Sequence, residues 1–94
     1  MYEFFNAFRV NWMFKRRGSL PIVDVVGILP SNNPEIILNS AVKIIGFAEE
    51  CNGILYPSGI KRPKPQKDCT ICYFAILFTD TKDITKFREK TQTI

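Results

Sequence analysis

Residues 69–78 read Cys-Thr-Ile-Cys-Tyr-Phe-Ala-Ile-Leu-Phe, ten uncharged positions of which six are β-branched or aromatic. Such a run is a strand by propensity, and a helix-start signal follows it at Thr79-Asp80. A strand apolar at both parities has no solvent face. It belongs in the middle of a sheet, with something covering each side.

At 94 residues the chain is the size of one domain, large enough to bury a core without disulfides or metal. Its apolar fraction of 46% and charged fraction of 23% are those of an ordinary soluble globular chain. The longest wholly apolar run, residues 71–78, is far short of the ~20 residues that span a bilayer. No secretory signal is expected, because Lys15, Arg16 and Arg17 follow the apolar N-terminal stretch rather than precede it. A basic targeting segment over residues 1–19 competes with a structured reading of the same stretch.

The chain has three cysteines and no histidine, and the odd cysteine count argues against a disulfide framework and for a reducing compartment, so a cytoplasmic protein is expected. The missing histidine removes the commonest general base, the usual partner of Ser and Cys nucleophiles, and the commonest transition-metal ligand. Net charge is +4 but unevenly placed, with +3 in residues 1–20, −3 in residues 21–59 and +4 in residues 60–67. The chain is a neutral-to-acidic body carrying two basic segments.

Period-2 alternation of Phe4, Phe8, Val10, Trp12 and Phe14 favours one strand over residues 4–14. A helix with Phe4, Phe5, Phe8 and Trp12 on one stripe is the competitor. Gly18-Ser19 marks a turn, and residues 21–29 form a second strand. Asn33 as N-cap, Pro34 at the first helical position and Glu35 in the first turn start a helix. Its stripe is Ile37, Ala41, Ile44, Ile45, Ala48 and Cys51, and Asn52-Gly53 ends it. A short strand at residues 54–57, a polar loop at 58–68, the buried strand at 69–79 and a helix at 81–90 complete the chain.

Strand, strand, helix, strand, strand, helix is the order of a ferredoxin-like split βαβ domain with its last strand moved to the front. The expected fold is therefore α+β: a four-stranded, mainly antiparallel sheet with two helices on one face, a circularly permuted ferredoxin-like sandwich. The likeness is one of element order, and the residues themselves identify no family.

In that arrangement one sheet face takes Phe8, Val10, Trp12, Phe14, Val23, Val25, Leu29, Cys72, Phe74, Ile76 and Phe78. The other has no helix left to cover it, yet receives Phe5, Met13, Ile22, Val26, Ile28, Ile71, Tyr73, Ala75 and Leu77. An apolar face of that extent marks an association site. Asp24 interrupts it. With a hairpin apex at residues 17–18, Asn11 would stand opposite Asp24 and Arg9 diagonal to it, as an ion pair at the margin of an interface.

Other motifs carry less. Cys69-Thr-Ile-Cys72 opens a strand rather than a helix, so its thiols lack the dipole that activates redox pairs, and buried core cysteine is the plainer reading. A zinc site would need a carboxylate such as Asp68 as fourth ligand. No glycine-rich phosphate loop is present. Trp12, alternating with Val10 and Phe14, belongs to the core rather than to a membrane surface.

The chain therefore reads as a non-catalytic, cofactor-free protein-interaction module. Arg9, Ile22, Asp24, Val26, Tyr73, Ala75 and Leu77 would form its interface, with a second copy or with another protein. The alternative is nucleic-acid binding through Lys61, Arg62, Lys64 and Lys67 together with Lys15, Arg16 and Arg17. The two basic segments are expected at opposite ends of the sheet, and no RNP-like aromatic motif accompanies them. No small-molecule substrate is evident.

Overall fold

The computed structural model describes residues 2–7, 10–56, 61–65, 67 and 69–92. Six strands and two helices follow in the order β1 (Glu3–Ala7), β2 (Val10–Arg16), β3 (Ile22–Leu29), α1 (Pro34–Glu50), β4 (Gly53–Leu55), β5 (Lys61–Pro65), β6 (Thr70–Phe78) and α2 (Thr81–Gln92). The four central strands stand in the order β2-β3-β6-β4, every pair antiparallel. This is the permuted ferredoxin-like arrangement: β3 and β4 are joined through α1 and have β6 inserted between them. β6 is central, as its two apolar parities require.

Two edges differ from the sequence reading. The strand expected over residues 4–14 is a hairpin, in which β1 runs back along β2 with Ala7 opposite Val10 and Phe4 opposite Met13. The reversal inverts parity, so Phe5, expected on the outer face, stands opposite core-face Trp12 while Phe4 stands opposite Met13. No Gly, Pro or Asp marks it, and Phe4, Phe8, Val10, Trp12 and Phe14 keep one parity in the sequence, so the pattern looks like one strand. Phe8 and Arg9 lie outside the described residues. The polar loop expected at 58–68 contains β5, which pairs with the first half of β6 while β4 pairs with the second half.

Helix α1 starts as its sequence dictates. The Asn33 side chain accepts a hydrogen bond from the Glu35 N–H at 3.0 Å, and Pro34 occupies the first turn, where no N–H partner is lost. Asn52, at φ 60°, takes the left-handed turn after the helix. The Thr70 hydroxyl donates to Asn32 Oδ1 at 2.6 Å, tying the β3–α1 connection to the start of β6.

The core lies between the sheet and both helices. Val10, Trp12, Phe14, Val23, Val25, Leu29, Cys72, Phe74, Ile76 and Phe78 face Ile44, Ala48, Cys51, Ile84 and Phe87. Phe87 packs against both Phe14 and Phe78, and Trp12 meets Phe74 edge-on at 5.8 Å. Trp12 is fully buried, as its alternation implied. No helix among the described residues is long and apolar enough to cross a membrane.

Candidate interaction surface

The outer face of the sheet is built in cross-strand rows. The strand registers place Lys15, Asp24 and Ala75 in one row, Met13, Val26 and Tyr73 in the next, and Asn11, Ile28 and Ile71 in the third. Ile22, Leu77 and Ile54 form a further row at the opposite end from Asn11. Both helices pack on the other face. Among the described residues no helix or strand lies over this one.

Asp24 is paired, but not with the residue expected. Lys15, not Asn11, stands opposite it, and Asn11 faces Ile28. The reason is the length of the β2–β3 connection. The Arg17 N–H donates to the Ile22 carbonyl, and the loop between them bends at Gly18, whose φ is +56°. This four-residue loop shifts the register by four positions from a tight apex at 17–18. The chain thereby brings Arg17 over the sheet, where its guanidinium grips Asp24 through Nε at 2.9 Å and Nη2 at 2.6 Å. That bond to Asp24 holds the arginine still more firmly in its charged form.

The same guanidinium lies 5.8 Å from the centre of the Tyr56 ring. Tyr56 donates its N–H to the Ala75 carbonyl, so Asp24 and Tyr56 flank Ala75 from the two neighbouring strands. Arg17 bridges those flanks above the small side chain, and Ala75 is wholly buried.

Of the residues expected at an interface, Tyr73 and Leu77 are half-exposed, Asp24 is engaged with Arg17, and Arg9 lies outside the described residues. Ile22, Val26 and Ala75 are buried within the protomer: they form the floor of the face and not its contact layer. Strand neighbours on both sides shield them, a lateral effect that single-strand alternation does not report. The accessible apolar layer is Met13, Ile28, Ile71, Tyr73, Leu77 and Ile54, the last 60% exposed.

Among the described residues the basic side chains lie apart. Lys15 and Arg16 are exposed at one end of β2, Arg17 is tied to Asp24, and Lys67 is exposed in the turn at the far end. Lys61 and Lys64 sit in β5, in register with Tyr73 and Ile71. A strand rich in Lys and Pro at the rim of a sheet resists pairing with another chain, since proline has no N–H to offer and charge repels a neighbour.

Cys72 is part of the core and Cys51 seals the end of α1, and burial pushes both thiols up from their ordinary range. Neither is a poised nucleophile. Cys69, half-buried, precedes β6.

The sequence reading overlooked a second apolar surface. Beside its core-facing stripe, α1 exposes Ile36, Leu38 and Val42, the last two at 64% and 57%. Leu38 and Val42, one turn apart, are legible as a second stripe that the first one masks, and Ile36 lies on the other flank of the core-facing stripe. A shallow groove of about 420 Å³ runs there, lined by Ile36, Asn39, Ser40, Val42 and Lys43.

No protein-family model matches the chain, and no curated protein or solved structure matches it significantly. What the geometry defines is a class: a permuted ferredoxin-like sandwich with a half-open, apolar outer sheet face.

Proposed function

We propose that the protein acts by association, receiving another protein surface on the outer face of its sheet. The carrying observation is the layer of Met13, Ile28, Ile71, Tyr73, Leu77 and Ile54 on the side away from both helices. A solvated antiparallel sheet alternates to polar residues on its outer face; among the described side chains this one carries Asn11, Lys15 and the Asp24–Arg17 pair, with Asn6 of β1 and Lys61 and Lys64 of β5 in register at its two margins. Arg17 and Asp24 satisfy one another, so burying them under a partner strands no unpaired charge. The role is that of a non-catalytic interaction module.

Sedimentation velocity on the purified protein, with affinity capture under nuclease treatment, tests this. Ile54→Asp and Leu77→Asp, each checked for native circular dichroism, should lose self-association or the captured protein by at least tenfold. Variants that keep their native spectrum and associate as wild type does overturn the reading. Salt-sensitive oligonucleotide binding that survives both variants and disappears when Lys61, Arg62, Lys64 and Lys67 are neutralised replaces it with nucleic-acid binding.

A further inference from the structure

We infer that β1 is a docking edge for a second copy of this chain: the two β1 strands pair antiparallel across a two-fold axis and join both sheets into one. This edge is separate from the outer face described above and meets its partner independently of it.

β1 closes one end of the sheet, and among the described residues β2 is its one strand neighbour. The ladder decides which of its backbone groups are left free. The Arg17 N–H donates to the Ile22 carbonyl, so Lys15, Met13 and Asn11, at every second position back along β2, also turn their backbone groups toward β3. Trp12 and Phe14 turn theirs the other way, to Phe5 and Glu3 of β1. The N–H and C=O of Phe4 and Asn6 therefore point out of the sheet edge. Unpaired groups of this kind are a template for another strand.

The two ends of the sheet differ in how they meet that hazard. At the far end β4 is three residues long, and β5 carries Lys61, Pro63, Lys64 and Pro65. Short strands, lysine and proline all keep an edge from pairing. β1 reads Glu-Phe-Phe-Asn-Ala, five residues with one charge, no lysine and no proline. Only one of the two edges is guarded.

The free groups of β1 select both the register and the occupant. A second β1 laid antiparallel, with Phe4 opposite the partner's Asn6 and Asn6 opposite the partner's Phe4, makes two N–H···O=C bonds at each pair. Every outward group of both strands is then satisfied. A register centred on Phe4 or on Asn6 instead carries the other residue past the end of β1. In the favoured register the axis passes at Phe5, and Glu3 falls opposite the partner's Ala7, so no like charges meet. Because the same edge serves both copies, the contact is isologous and stops at the dimer.

Proline parity tests this. Asn6→Pro removes an outward N–H and no bond to β2, and an edge strand tolerates proline whose nitrogen faces outward. In sedimentation velocity wild type should run as a dimer that dissociates on dilution. Asn6→Pro, keeping the wild-type circular dichroism spectrum, should weaken that dimer by about tenfold or more. Leu77→Asp, on the outer face, should keep the dimer, so capture of another protein remains the readout for the outer-face reading. Should Asn6→Pro fail to fold, amide exchange on wild type decides: Phe4 and Asn6 should lose protection on dilution to monomer while Phe5 and Ala7 keep theirs. A dimer that survives Asn6→Pro or is abolished by Leu77→Asp overturns the edge contact, and so do four amides that respond alike to dilution. A wild type that stays monomeric to millimolar concentration overturns it too, and leaves the captured-protein arm to decide the outer-face reading. Protection of Phe4 and Asn6 that appears only with a captured protein gives the edge to an extended segment of that protein and overturns the second copy as occupant.

Discussion

Small residues in this protein mark places where a large neighbour crosses the sheet. Gly27 stands opposite Trp12, and a Cβ built on it would lie 2.5 Å from the indole Cζ3. The indole is buried on all sides and has nowhere to retreat. Gly53 is pinned in the same way, with Ile76 and Phe78 each 2.8 Å from its would-be Cβ. Gly27→Ala should therefore destabilise the fold by ~1–3 kcal/mol, the usual cost of overpacking a close-packed core, read as a lower urea midpoint. A midpoint equal to wild type would mean the indole has another place to go. A glycine amid β-branched neighbours is a visible sign of close approach, but nothing local names Trp12 as the intruder.

At the scale of elements, legibility followed the strength of local signals. Asn33 and Pro34 start α1 as read, because capping is settled within three residues. The core parity of β2, β3 and β6 also held: every core-face residue expected on those strands is in the core. The β1–β2 reversal was hidden because apolar residues recur at even positions on both sides of it and no turn residue marks it, although the pairing itself inverts the parity of β1. β5 was hidden because Pro63 and Pro65 read as strand-breaking, and they are tolerated only since the strand lies at a rim. The prolines and lysines there protect an edge. Replacing Pro63 and Pro65 with Val should raise aggregation, seen as turbidity on warming and loss of the main size-exclusion peak. Unchanged solubility would deny them that role.

The whole molecule carries the permutation as a physical claim. α2 packs beside β1, so the chain's two ends belong to neighbouring elements. A permutant with a flexible linker from residue 94 to residue 1 and new termini between Gly18 and Ser19 restores the unpermuted strand order. It should fold with the wild-type circular dichroism spectrum and a single cooperative transition, because sheet pairing is indifferent to which loop is open. Failure to fold would show that the β2–β3 connection, which seats Arg17 on Asp24, is needed to build the sheet.

The sequence by itself determined the class of elements, the core parity of the sheet and the central place of residues 70–78. Those properties follow from backbone propensity and from the period at which apolar residues recur, both encoded within a few positions. Only the tertiary structure decided that Arg17 meets Asp24, that Val26 and Ala75 lie below the accessible layer, and that α1 turns Leu38 and Val42 to solvent. Each of these depends on register or on lateral shielding by a neighbouring strand or helix. Such distances close only when segments far apart in the chain have been set side by side.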